Sequence, residues 1–345
     1  MYRLAFIGFG NVGRALALLL MRKEQELRDR YGIRFLVTGI YTARHGWAIN
    51  PQGIDLAQAV ECVQNGDRLD ALCDPAYREK LVNSFDFIRA CPADVLFENT
   101  PVNHVNGEPA VTHVRLALQH HMHAITANKG AVVYGYQELK RLAEQQGRSF
   151  FFESTVMDGA PIFSLFREAL PAANLRAFRG ILNSTTNLIL TRMEEQGETF
   201  EQAVRYAQQI GIAETDPSAD VDGWDAAIKV AALVTVLMGY PLRPQEVERE
   251  GIRGITPDKI AEAQAEGKRW KLLCQAERNG SGVIARVMPQ KVGPETPFYT
   301  VRGTTSIVEF QTDVLGDLSI IETDPGPQTT AYGLLSDFVN AVSRA

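Results

Sequence analysis

The sequence predicts an α/β protein, with an open parallel-sheet nucleotide domain followed by a second region of mixed helix and strand. Three observations point there. Short apolar runs alternate with helical patterns through the first 152 residues, a glycine-rich turn joins the first run to the first helix, and after Phe152 the alternation gives way to helices and then β-rich runs. At 345 residues the chain is about twice the roughly 150 residues of an average domain, so each half can bury its own core. A composition of 45% hydrophobic and 22% charged residues with no low-complexity tract excludes a fibrous or largely disordered chain.

In chain order, the apolar runs predict strands at Tyr2–Ile7, Arg34–Ile40, Val95–Glu98, Ala124–Thr126 and Ser149–Phe152. Helical periodicity fills the gaps at Val12 to about Arg30, Glu108–His121 and Tyr136–Gln146, and this alternation implies parallel strands with crossover helices. Beyond Phe152, helices are predicted near Ile162–Leu170, Thr186–Glu195, Phe200–Ile210 and Trp224–Tyr240. Strands follow at Val283–Met288, Ser306–Gln311 and Leu318–Glu322, before an amphipathic helix from about Thr329 to Val342.

Gly8-Phe9-Gly10-Asn11-Val12-Gly13 sits directly after the first strand and opens the first helix. In that context GxGxxG reads as a Rossmann-type dinucleotide turn. Gly8 permits the bend, Gly10 lets backbone approach a pyrophosphate, Gly13 allows helix-on-strand packing, and the amides at Asn11 and Val12 face the phosphates. An acid at the end of the second strand would grip the adenosine ribose of NAD, but that stretch reads Ile40-Tyr41-Thr42-Ala43-Arg44-His45. With no carboxylate near Thr42 and a cation at Arg44, a 2′-phosphate is favoured, hence NADP, with NAD as the alternative.

A net charge of −6 offers no basic field for nucleic acid or an acidic membrane, which leaves a small-molecule substrate as the expected partner. The longest uncharged apolar stretch, Val230–Leu242, falls short of the roughly 18 residues a span requires. Four cysteines with no CxxC pair and no leader-like N-terminus lead us to expect a reducing, cytoplasmic setting.

Glu214 to Lys229 packs five acids and one lysine into sixteen residues. Pro217 and Gly223 mark a loop, after which the helix from Trp224 is apolar on nearly all sides and therefore buried. Asp225 and Lys229 lie four apart on one face of it, so their charges must be paired or used; an ordinary surface pair is the bland alternative. Lys129, in Thr126-Ala127-Asn128-Lys129-Gly130, lies past the C-terminal end of a predicted strand, the edge where open parallel sheets bind ligands. His120, His121 and His123 straddle a helix end and a strand start with no completing Cys or His, so they read as structural.

These motifs together resemble homoserine dehydrogenase over nearly the whole chain. Gly211 to Lys229, with Asp220-Val221-Asp222-Gly223-Trp224-Asp225, matches that family's signature; Ala127-Asn128-Lys129-Gly130 and Gly180-Ile181-Leu182-Asn183-Ser184-Thr185-Thr186-Asn187 match two further motifs. The resemblance implies interconversion of L-homoserine and L-aspartate 4-semialdehyde with NAD(P), in the route to threonine, methionine and isoleucine. It makes Lys129 and Lys229 the acid/base lysines. Glu214 would bind the substrate amino group, Asp225 would contact its hydroxyl, Asp220, Ser184 and Thr185 would line the same site, and Thr100 would lie on the nicotinamide side.

Further implications concern ions, domains and assembly. Glu153-Ser154-Thr155-Val156-Met157-Asp158-Gly159-Ala160-Pro161 resembles the family's monovalent-cation loop, with the carbonyls of Glu153, Val156, Asp158 and Ala160 as expected ligands for an ion such as sodium. A structural hinge is the alternative there. Met157 and Asp158 replace small residues usual in the family, Ser184 replaces a glycine, Leu188 a tyrosine and Ile212 an aromatic. The expected division is a nucleotide domain of residues 1–152 plus about 326–345, and a region 153–325 with a catalytic part (about 171–280) and a β part that pairs subunits into a homodimer. The sequence stops soon after the last helix, so the regulatory domain of longer relatives is expected to be absent.

Two rivals remain at this level. An aldehyde dehydrogenase would need a cysteine nucleophile, and none lies between Cys91 and Cys274; a non-catalytic NAD(P) sensor would need neither lysine.

Overall fold

The computed structural model describes residues 1–78 and 81–343, which divide into two compact units. The first comprises Met1–Pro161 and the chain from Gly326 onward; the second is Ile162–Pro325.

In the first unit, β1 (Tyr2–Ile7) leads through the glycine turn into α1 (Asn11–Tyr31), followed by β2 (Phe35–Tyr41), β3 (Trp47–Ile49), α2 (Leu56–Gln64) and α3 (Ser84–Ala90). Then come β4 (Val95–Glu98), α4 (Ala110–Gln119), β5 (His123–Thr126), α5 (Lys129–Gln146) and β6 (Phe150–Phe151). The sheet order is β3-β2-β1-β4-β5-β6, parallel except for β3, which turns back antiparallel along β2. Successive connections leave β1 in opposite directions, so the switch point of the sheet lies between β1 and β4, where open α/β sheets carry their ligands. Phe6 packs on Phe97 and Phe97 edge-to-face on Phe338, with ring centroids 5.2 and 6.0 Å apart, and Phe338 belongs to the terminal helix Pro327–Val342. That helix thereby buries one face in the nucleotide unit's core.

The helix expected to begin at Tyr136 begins instead at Lys129. Gly130 and Gly135 depress its helical signal, but they are there for packing. A Cβ on Gly130 would lie 2.8 Å from the Cα of Gly107, so the close approach of that loop requires glycine. Likewise the helix expected from Glu108 starts at Ala110, just past Pro109, and α2 and α3 were not anticipated.

In the second unit, β7 (Leu175–Ile181) is followed by α6 (Ser184–Gln196), α7 (Phe200–Gln209), α8 (Ser218–Val221) and α9 (Trp224–Leu237). Next come β8 (Glu248–Arg249), α10 (Pro257–Ala265), β9 (Arg269–Asn279), β10 (Gly282–Val292), β11 (Ser306–Thr312) and β12 (Asp317–Glu322). The sheet order is β12-β11-β7-β9-β10-β8, antiparallel apart from the short β8–β10 pair. α9 is buried along almost its whole length, from Ala226 through Thr235, apart from Lys229. The expected helix near Ile162–Leu170 is largely a single π-helical turn, Leu165–Ala169. β9 escaped prediction because Lys271, Leu272, Leu273 and Cys274 are buried in succession, which erases the period-two alternation of a half-buried strand.

Candidate active site

The glycine turn has the form a dinucleotide requires. Gly8 has a φ of 86°, and a Cβ there would strike the Asn99 carbonyl oxygen at 2.5 Å; a Cβ on Gly13 would lie 2.6 Å from the Gly8 carbonyl oxygen. A Cβ on Gly10, by contrast, would meet nothing within 4 Å, so the turn is open on its outer side. Gly10 caps α1 without a side chain, and no acid occupies the first turn, leaving the amides of that helix end to an anion. Asn11 accepts from Arg14 Nη2 at 2.9 Å. Thr42 is buried and closes its own turn, its hydroxyl accepting from the amide of His45 (2.7 Å) and donating to the Gly46 carbonyl (3.1 Å), which leaves Arg44 exposed on the turn beyond β2.

Past the ends of β4 and β5, Thr100 on its loop and Lys129 at the start of α5 are tied together by Asn128. Its Nδ2 donates to the carbonyls of Thr100 (3.0 Å) and Pro101 (3.2 Å), and its Oδ1 caps α5 through the amide of Gly130 (2.9 Å). Lys129 is therefore the first residue of a helix rather than part of a loop. Asn99, which sequence reasoning passed over, places both side-chain amide atoms in buried positions without a hydrogen-bond partner. A buried amide left in that state wants a ligand, and its position directly after a strand of the parallel sheet was the signal that could have found it.

The Glu153–Ala160 segment is irregular, with Met157 and Asp158 in the left-handed region at φ 53° and 47°. The Asp158 side chain turns to the terminal helix, accepting from the amide of Gly326 (2.6 Å) and the hydroxyl of Thr329 (2.9 Å), while the amide of Glu153 donates to Asp337 (2.7 Å). Among the described residues no cluster of three side-chain metal ligands exists. His123 is 4% exposed, accepts from the amide of Ser149, and is pushed down to about 4 by burial and by Arg148.

In the second unit, Asn183 gathers the acid-rich motif. It caps α6 through the amide of Thr186 (2.8 Å) while its Nδ2 donates to Asp220 Oδ1 (2.7 Å) and Asp225 Oδ2 (3.0 Å). Lys229 Nζ donates to the Leu182 carbonyl at 2.6 Å and lies 2.8 Å from Asp225 Oδ2, with side chains only 15% and 17% exposed. The pair is a half-buried cluster, not a solvated surface contact. Burial, and then the neighbouring Asp225 charge, raise Asp220 above the usual carboxylate range, against its bonds to Asn183 and Thr185. Ser184 stands beside Thr185, half-buried, at the start of α6. Glu214 lies on the adjoining loop, placed by Gln208, whose Nε2 donates to the carbonyls of Glu214 and Thr215; its carboxylate is exposed and outside the hydrogen-bonded cluster.

The two cysteines that bracket the cysteine-free stretch are poor nucleophiles. Burial pushes both Cys91 and Cys274 up to about 12, so neither supplies a thiolate near neutrality. No helix among the described residues is long and apolar enough to cross a membrane.

Comparison with known proteins agrees with this arrangement. The family model described as homoserine dehydrogenase matches residues 161–339, and that described as the homoserine dehydrogenase NAD binding domain matches residues 8–153. The chain is 35% identical over 340 residues to the NAD(+)-dependent homoserine dehydrogenase of Pseudomonas canavaninivorans, covering 98% of this chain and 96% of that one. It is 36% identical over 336 residues to the homoserine dehydrogenase of Methanocaldococcus jannaschii, covering 97% and 96%. The crystal structure of a homoserine dehydrogenase from Thiobacillus denitrificans superposes with a TM-score of 0.83 at 28% identity, covering 99% of this chain and 73% of that one.

Proposed function

The chain belongs to the homoserine dehydrogenase family, NAD(P)-dependent oxidoreductases that act on a CH-OH group, and from that premise we propose how its residues divide the reaction. The observation that carries the reading is the Asn183 cluster. Two carboxylates, Asp220 and Asp225, share the Asn183 amide, with the Lys229 ammonium paired to Asp225, so acidic groups are concentrated in a half-buried site. Such a site takes up a cation, and the ammonium of homoserine supplies one, offsetting the burial and the Asp225 charge that raise Asp220.

In this assignment Asp220 and the exposed Glu214 face the substrate ammonium, and Ser184 and Thr185 offer hydroxyls to its carboxylate. Asp225 orients the substrate hydroxyl and fixes Lys229. Lys229 and Lys129 hold and move the hydroxyl proton, leaving the substrate oxygen able to form the carbonyl as hydride departs. Bound nicotinamide supplies the hydride acceptor. The residues that would hold it are Gly8, Gly10, Asn11, Val12 and Gly13 at the pyrophosphate, with Thr100 toward the ring, and the open outer side of Gly10 and the orphaned Asn99 amide fit that use.

We assign NADP as the preferred cofactor, because Thr42 is spent within its turn and Arg44 stands exposed beyond it. NAD is the second reading, favoured by the NAD(+) dependence of the Pseudomonas canavaninivorans relative. The carbonyls of Glu153, Val156, Asp158 and Ala160 are proposed to hold a monovalent cation such as sodium, supported by the two left-handed residues that turn this segment. A homodimer is proposed through the open face of the second unit's sheet, where a recess of about 390 Å³ is bordered by Arg179, Arg286, Glu277, Glu309 and Asp317, charges of both signs suited to self-pairing. With four free cysteines the setting is cytoplasmic, and the substrate is a small molecule rather than nucleic acid.

The test follows nicotinamide absorbance with L-homoserine, with analogues lacking its amino or its carboxylate group, and with each cofactor. Homoserine should support turnover that both truncated analogues lose by about tenfold or more, the cost of leaving a site charge unpaired. Equal use of the analogue lacking the amino group would overturn the role of the acid cluster.

A further inference from the structure

Glu98, the last residue of β4, is fully buried. Its carboxylate accepts from the Thr100 amide (3.3 Å) and the Thr100 hydroxyl through Oε1, while the Thr126 hydroxyl lies 2.9 Å from both Oε2 and the Glu98 backbone carbonyl, which share its proton. Across the sheet, His113 of α4, 1% exposed, places Nδ1 at 3.3 Å from Oε1, and its Nε2 lies 2.7 Å from the Ser84 hydroxyl at the start of α3. The Thr100 contacts to Oε1 are donors, so we assign the Nδ1 proton to face Glu98, with Ser84 beside the other ring nitrogen.

A buried carboxylate costs heavily unless every lone pair is used, and an apolar side chain would fill this place without that cost. What the charge does is tie two loops. Thr126 also accepts from the Asn128 amide (2.9 Å), and Asn128 reaches back to Thr100 and caps α5, whose first residue is Lys129. The Thr100 hydroxyl, its proton spent on Glu98, keeps only its oxygen for another donor, and Asn128 Nδ2 lies 3.3 Å from it. One carboxylate therefore sets both the threonine assigned to the nicotinamide side and the helix start that carries the assigned lysine.

We propose that Glu98 is a positioning residue for the reaction, acting through Thr100 and through Thr126 and Asn128, with His113, held by Ser84, as its fixed donor. The inference rests on the assignment of Thr100 and Lys129 made above. Glu98 itself is fully buried and acts only through these neighbours.

The test compares the full-length wild type with Glu98→Gln, His113→Gln and His113→Ala. Glu98→Gln keeps the shape but gives one side of the group a donor where acceptors are needed. Its kcat should fall by about 10- to 100-fold with homoserine KM within about twofold, and the deuterium isotope effect from C4-deuterated homoserine should rise as hydride transfer becomes limiting. Without substrate, NADPH titrated by its fluorescence should bind Glu98→Gln within about threefold of wild type, while the emission change on binding is altered because the ring end is less ordered. His113→Gln, whose amide can still donate to Glu98, should retain most activity where His113→Ala does not. An unchanged isotope effect, with kcat lowered only in proportion to the unfolded fraction, would show a merely structural role and overturn the proposal, as would unaltered NADPH emission. Should wild type fail to oxidise homoserine, the functional assignment fails instead, and the fluorescence arm still decides the place of Glu98.

Discussion

The carboxylate of Asp225 is shared between Asn183 and Lys229, its Oδ2 lying 3.0 Å from the amide nitrogen of one and 2.8 Å from the ammonium of the other. Asn183 thus stands between two carboxylates and keeps them in one place. Asn183→Ala should remove that donor, so the repulsion between Asp220 and Asp225 rises. Steady-state kinetics should show kcat/KM for homoserine falling by ~10- to 100-fold with cofactor KM within about twofold, and thermal melts should show a loss of about 1 kcal/mol from the missing helix cap. Unchanged homoserine kinetics would mean the cluster holds its form without the amide.

In the proposed assignment, cofactor choice turns on the exposed Arg44. A charge-assisted contact to a 2′-phosphate is worth ~1.5 to 3 kcal/mol, so Arg44→Ala should raise KM for NADP by roughly tenfold to a hundredfold while leaving that for NAD nearly unchanged. Equal loss of both cofactors, or better use of NAD by the wild type, would place the phosphate elsewhere.

His123 makes stability depend on pH. Burial holds the folded imidazole at about 4, below the 6.5 of the open chain, so the unfolded state takes up a proton first as pH falls. The contribution is full above about 6.5 and is lost progressively down to about 4, amounting to at most about 3 kcal/mol. Denaturation of wild type and His123→Gln at pH 7 and at pH 5 should therefore show the larger loss in wild type. Parallel losses would contradict the depressed value.

How much of this could be read from sequence differs by region, for physical reasons. The Gly8 to Gly13 turn was legible because glycine is demanded there by backbone contacts of 2.5 and 2.6 Å that no other residue satisfies. Asp225 and Lys229 were legible because a helical spacing of four inside an apolar helix leaves a charged pair little alternative to facing each other. Asn183 appeared in a motif but its role did not, since its partners Asp220 and Asp225 lie 37 and 42 residues away and nothing local pairs them. Glu98 and Asn99 were hidden for the same reason: a strand-ending Glu-Asn looks like an ordinary polar exit until the fold buries the carboxylate against α4. The start of α5 was missed because Gly130 answers to a neighbouring loop and Gly135 to close side-chain packing, not to helix propensity.

The most direct test of the account is the turnover number of Lys229→Ala with homoserine, beside its affinity for NADPH. Lys229 is held by the Leu182 carbonyl and Asp225 and is assigned to hold and move the substrate proton. General acid/base assistance is typically worth ~100-fold or more, so kcat should fall at least that far while NADPH binds as it does to wild type. Turnover within a few-fold of wild type in the folded variant would contradict the account at its centre.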